Sequence, residues 1–149
     1  MAQAATKLPK VTGDERQSSA RGLSDSFAKM IAENSTAAIA VADADGMIEW
    51  VNAAWSEMTE YTLEECIGKS SAGLTIGPET DRTALRELAR AGIERRAMRC
   101  ELIHYRKSGD RYWAETVITP IFDAQERLTH HLVMGRDVTD RKLLEAERE

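Results

Sequence analysis

Apolar residues recur along this chain with two periods, and the switches between them mark its elements. Leu23, Phe27, Met30 and Ile31 fall at i, i+4, i+7 and i+8. That is one stripe of an amphipathic helix, which Asn34 or Ser35 should end. From 37 to 42 the chain is apolar and strand-like, with Ile39 and Val41 β-branched, and a second short run covers 47–51. Asp43-Ala44-Asp45-Gly46 between them predicts a hairpin turn with glycine available for a positive φ. Asn52 is placed to cap a helix over 53–59. Thr62 and Glu65 match the capping box of a second short helix stopping at Gly68. Residues 69–78 read as a loop or one helical turn. Thr80 or Asp81 should then cap a longer helix through about Ala91, with Leu85 and Leu88 inward and Arg82, Arg86 and Arg90 outward. Gly92 is its expected C-cap.

The last third changes to the strand period. Arg106-Lys107-Ser108-Gly109-Asp110 and Asp123-Ala124-Gln125-Glu126-Arg127 are turns between three strands. The ending Asp137-Val138-Thr139-Asp140 closes the third strand and starts a helix, with Thr139 or Asp140 expected to take its first free amides. Two strands, then helices, then three strands make an α+β fold. Its simplest form is one five-stranded antiparallel sheet with the helices on one face. The expected organisation is a leader over 1–22, a helix over 23–34, a domain over 35–138, and the start of a C-terminal helix over 139–149.

Composition narrows this modestly. With 149 residues, 42% hydrophobic, the chain supports one domain without help from disulfides or metal. Cys66 and Cys100 form no CxxC pair, as in a reducing compartment. No apolar run approaches the roughly 18 residues of a membrane span, and no signal-peptide h-region precedes the domain, so a cytoplasmic location without membrane insertion is expected. A net charge of −5 speaks against generic nucleic-acid binding. Charge is unevenly spread: residues 30–68 hold eight acidic and no basic side chains, whereas 82–111 hold nine basic against four acidic. Two faces that attract each other within the fold explain this, and a protein-partner surface is the alternative.

The DADG hairpin, the segment VNAAWSEMTEYTLEECIGK, the pair LIHYRKSGDRYW and ITPIFD, and the ending GRDVTDRK occur in one order over about 35–142. Together they resemble the PAS domain family. The resemblance implies a sheet cupping a small-molecule pocket under helices, frequent dimerisation, and a place upstream of histidine kinases of two-component systems, cyclic-nucleotide enzymes, chemotaxis transducers or transcription regulators. Gly77-Pro78-Glu79-Thr80-Asp81, the HYRKSG turn and Tyr112-Trp113 are most similar to the flavin-binding LOV branch. In that branch a cysteine attacks the flavin, and here Ser71 stands in its place, in a stretch one residue longer before Gly77. An alcohol cannot supply the thiolate such an adduct needs, and Cys66 lies in the preceding helix. The branch also reads the flavin ring with two Asn and one Gln, where this chain has His104, Ala114 and Gly135. LOV-style photochemistry is therefore not expected, while a flavin (FAD or FMN) in another pose stays open.

Strand alternation groups Leu102 with His104, and Ala114 with Thr116 and Ile118. With Ser71 and Gly135, the residues Leu102, His104, Ala114 and Thr116 are the candidate cofactor-pocket lining. No His lies on 81–95 and no CxxCH occurs, which argues against haem. His130 and His131 are adjacent, so on a strand they face opposite sides and cannot chelate one metal. No nucleophile has a His–acid partner pattern, so no catalysis is expected. Trp113 and Val117 should face outward, against a flanking helix or a second copy. The expected function is a non-enzymatic sensory module for a small molecule, redox state or light. It would relay its signal through terminal helices and dimer contacts at Leu23, Phe27, Met30, Ile31, Trp113 and Val117 to an effector such as a kinase or cyclic-nucleotide enzyme. The alternative is a ligand-free dimerisation or protein-interaction scaffold.

Overall fold

The computed structural model describes residues 25–148, with side chains from Ala28 onward. Leu23 and the expected leader lie outside the described residues, as does the side chain of Phe27. The elements run α1 (Asp25–Asn34), β1 (Ala38–Asp43), β2 (Ile48–Val51), α2 (Ala53–Thr59), α3 (Leu63–Cys66), α4 (Ser71–Thr75), α5 (Arg82–Ile93), β3 (Met98–Tyr105), β4 (Arg111–Phe122), β5 (Leu128–Asp137) and α6 (Thr139–Glu147). The sheet is five-stranded and antiparallel, in the order β2-β1-β5-β4-β3. Helices α2 to α5 connect one edge strand, β2, to the other, β3.

Asn52 ties the N-terminal part together. Its Oδ1 accepts from Trp55 N and Ile39 N, both at 2.9 Å, and its Nδ2 donates to Ala32 O at 2.8 Å and Ala37 O at 2.9 Å. One buried amide thus caps α2, starts β1 and anchors the end of α1. The inward alanines of β1, Ala38 and Ala40, let α2 come close, and Trp55, Ile48, Val51, Cys66 and Val133 complete the core. The Thr62–Glu65 capping box forms in both directions, at 2.9 and 3.2 Å.

The β3–β4 turn finishes the other end of α2, whose last carbonyls need donors. Arg106 Nη1 donates to Met58 O at 2.5 Å, Lys107 N to Thr59 O at 2.9 Å, and Ser108 N to Glu60 Oε1 at 3.0 Å.

Two caps differ from the sequence expectation. Helix α5 passes Gly92 and ends at Ile93 with Glu94 as C-cap, the left-handed position falling to Arg95 at φ 57°. Its N-cap is Asp81, because the Thr80 hydroxyl is committed inward to Ile103 O at 2.8 Å. Neither Thr139 nor Asp140 caps α6. Thr139 Oγ1 accepts instead from Trp113 N at 3.0 Å, and Asp137 Oδ1 takes the Thr139 amide at 2.9 Å. The segment that was expected only to start a helix is thereby stitched to β4.

Candidate functional site

The inner face of the sheet carries Ala114, Thr116 and Ile118 from β4 and Val133 and Gly135 from β5, alongside His104 from β3. Over it lie Trp55, Met58 and Thr59 of α2, Ser71, Ala72 and Thr75 of α4, and Leu85 and Leu88 of α5. They enclose a cavity of about 30 Å³, room for about one water. Five of the six expected lining residues, Ser71, His104, Ala114, Thr116 and Gly135, meet there. Leu102 is the exception. It shares the inward face of β3 and is 1% exposed, but it packs in the interior without reaching the cavity wall.

His104 is the main polar group of this cavity. Its Nδ1 lies 2.6 Å from Thr75 Oγ1, and the Thr75 hydroxyl also lies 3.3 Å from Ser71 O. Burial pushes the imidazole down to about 4, so the ring is neutral at ordinary pH. Its Nε2 is buried without a hydrogen-bond partner among the described residues. Beside it, the Tyr112 ring stands 6.0 Å away, centroid to centroid, and burial pushes its phenol up to about 12. Cys66 is buried in the core with its thiol raised by burial, and Cys100 is raised to about 11 for the same reason. Neither thiol is activated.

A second, larger space adjoins the first. An open groove of about 560 Å³ runs between α5, the start of α4, the β1–β2 turn and the inner ends of β4 and β5. It shares Ser71, Ala72, Leu85, Leu88, Ile118 and Val133 with the cavity. Its volume lies in the range of about 300–1,000 Å³ usual for small-molecule sites. His131 and Arg95 line it, and sequence reasoning identified neither as a pocket residue. His130, on the opposite side of β5, bonds Glu49 at 3.1 Å, so the two histidines do point apart.

The inner cavity taken alone does not hold a flavin ring, although it shares six lining residues with the groove. About 30 Å³ is far below what a tricyclic ring needs. A Cβ on Gly135 would stand 3.0 Å from Met58 Cε, so a side chain at 135 would need the flexible end of the methionine to shift by a few tenths of an ångström. The groove is the space with the necessary volume.

The exit from the sheet lies directly against the cavity wall. Arg106 Cζ sits 4.1 Å above the Tyr112 ring, and its Nη2 donates to Asp137 Oδ2 at 2.7 Å. Burial raises the Asp137 carboxyl, but the bonds from Thr139 and Arg106 outweigh it and hold the group below its ordinary value. Helix α6 then lies on the outer face. Lys142 Nζ stands 4.5 Å over the Trp113 ring, and Arg141 and Lys142 both pair with Glu101. Trp113 and Val117 face outward as alternation predicts, but the Trp113 ring is taken up by the chain's own helix. Met30 and Ile31 on α1 are 55% and 50% exposed.

Residues 32–143 match the family model described as the PAS fold. The chain is 30% identical over 107 residues to a nitrogen fixation regulatory protein of Klebsiella oxytoca, covering 72% of this chain and 21% of that protein. It is 31% identical over 107 residues to a blue-light-activated histidine kinase of Brucella canis, covering 70% and 22%. It is also 31% identical over 96 residues to phototropin-2 of Oryza sativa subsp. japonica, covering 64% and 10%. The chain thus spans about a fifth or less of the length of these relatives. Among solved structures, the PAS domain of the fruit-fly ELK potassium channel superposes with a TM-score of 0.71 at 19% identity, covering 77% of this chain and 96% of that one. The light-state LOV structure of Aureochrome1 superposes at 0.67 with 22% identity, covering 74% and 90%. These two likenesses concern the fold. The sheet order, the helices over its inner face and the match over 32–143 lead to one conclusion: the chain belongs to the PAS domain family.

Proposed function

We propose that this chain is a sensory input module without catalysis of its own. A small-molecule or redox event under the helices alters how α6 is held, and α6 carries the change to an effector such as a kinase or cyclic-nucleotide enzyme. The observation that supports this reading is the chain of contacts from the cavity to the exit: His104 beside Tyr112, Arg106 over Tyr112, Asp137 bound to Arg106, and Thr139 bound to Asp137. To act as a switch, the pocket event must favour one α6 arrangement by a few kcal/mol. That is the scale of two or three such bonds.

Ala114→Val puts extra volume into the cavity and imitates occupancy. Amide hydrogen exchange over 139–147 should rise in this variant and stay unchanged over β1 and β2. Exchange in α6 that ignores the substitution would sink the relay. A flavin, if one is carried, belongs in the groove. An absorption spectrum and mass spectrometry of the denatured protein test for it, and a colourless protein releasing no flavin removes it as the native ligand.

The exposed Met30 and Ile31 of α1 support a second copy as partner through this helix, whether or not the pocket is used. The dimer is thus compatible with both the sensor and the scaffold.

A further inference from the structure

The chain divides its charge into an acidic block over 30–68 and a basic block over 82–111, and the fold leaves the two almost unconnected. Lys107 with Glu65 is the one ion pair between them among the described residues. Arg90 pairs only with Glu87, and Arg96 only with Glu94, both on their own segment. Arg82 and Arg95 are exposed without an ion-pair partner among the described residues, and so are Glu33 and Glu57. Attraction within one copy therefore does not account for the division.

Each sign of charge lies beside an exposed apolar spot. On α5, Arg82, Arg86 and Arg90 fall at i, i+4 and i+8, an exposed row about 12 Å long. Ile93 follows Arg90 at i+3 and is 82% exposed. On α1, the exposed Met30 and Ile31 stand beside the exposed Glu33, and Lys29 is only half-buried. Helix α1 packs on α2, which carries Glu57.

We propose that α5 is a docking surface for a second copy of this chain. The row Arg82, Arg86 and Arg90, with Ile93, seats against Met30, Ile31, Glu33 and Glu57 of the other copy. An apolar centre within a charged rim is the usual anatomy of a specific interface. Each copy offers both faces, so a two-fold axis makes the contact twice and closes the assembly as a dimer. The family resemblance implies dimerisation without implying α5. Leu85 and Leu88 of the same helix wall the inner cavity, so the contact would bear on the cavity of each copy. The proposal rests on the reading of α1 as a contact between copies and adds what that helix meets.

Light scattering of the whole chain over a concentration series tests it. Raising salt from about 0.1 M to about 1 M shortens the screening length from about 10 Å to about 3 Å. The dimer dissociation constant should rise about tenfold. The double variant Arg86→Glu/Arg90→Glu should weaken the dimer about a hundredfold, and so should Glu33→Arg/Glu57→Arg. Mixed in equal amounts, the two variants should form a heterodimer as tight as the native dimer. Each then presents to the other the sign it has lost, and recovery shows that both are folded.

A mixture that stays monomeric overturns the proposal, as does a native mass kept by the arginine variant. If that variant keeps the native mass while Ile31→Asp lowers it, α1 meets a different surface. Helix α5 is then excluded and the reading of α1 stands. A native chain that is a monomer throughout the series overturns both.

Discussion

Arg106 and Asp137 are joined by a 2.7 Å ion pair that sits between the cavity wall and the first turn of the C-terminal helix. Arg106 comes from the β3–β4 turn and Asp137 from the last residue of β5. The same guanidinium covers the Tyr112 ring and donates to the end of α2. One side chain therefore joins a helix of the inner layer, a cavity residue and the strand end that leads into α6. That convergence makes it the point at which the fold is most open to test.

Arg106→Ala removes a charged donor from the Met58 carbonyl, a cation–π contact and the Asp137 pair. The loss should be about 2 kcal/mol of stability. Urea denaturation measures it, and hydrogen exchange over 139–147 should accelerate more than exchange in β1.

Asp137 should make α6 docking sensitive to acid. Its folded carboxyl lies below the ordinary carboxylate value of about 3.9. The stabilisation is thus fully present above that value and is lost as pH falls through the lower folded one. Asp137→Asn should remove this acid step and lower stability at neutral pH. Circular dichroism and exchange across the acid range would show both effects. An identical acid profile in the variant counts against the pair.

His104 acts in a higher window. Its folded value of about 4 lies below the ordinary 6.5, so the unfolded chain binds the proton first. Stability is whole above about 6.5 and declines toward about 4, by up to about 3 kcal/mol. His104→Leu should flatten stability across that window. Denaturation midpoints at mildly acidic and neutral pH measure the slope, and a slope retained by the variant would assign it elsewhere.

Asn52→Ala cuts four hydrogen bonds of a side chain that is 2% exposed. The expected cost is about 2–4 kcal/mol, from the lost cap and the carbonyls and amides left buried. Thermal unfolding reads it directly, and a shift of less than 2 °C would contradict this role.

Ile31→Asp should lower the mass measured by light scattering toward that of a monomer, since Ile31 is exposed on the stripe of α1. Trp113→Ala should leave the mass unchanged and loosen α6, because Lys142 of the same chain covers that ring. The opposite pattern would move the contact between copies to the sheet.

Much of the architecture could be read from local signals. The Asn52 cap on Trp55 N, the Thr62–Glu65 box and the turns at Gly46 and Gly109 are satisfied within a few residues, and such chemistry leaves the same mark in any fold. Alternation placed His104, Ala114 and Thr116 on the inner face for the same reason. The end of α5 leaves no such mark, because Arg95 adopts the left-handed turn that glycine normally signals. The α6 cap leaves none either, because Thr139 has its partner in Trp113, 26 residues away.

The sequence by itself determined the family, the order of elements and the residues facing inward, because these follow from period, caps and turns. Only the tertiary structure decided how much room those inward residues leave. Met58 closing on Gly135, Leu102 buried behind the wall and the unmatched nitrogen of His104 arise where separate elements meet. Cavity volume and hydrogen-bond satisfaction are properties of that packing, and no local pattern in the chain encodes them.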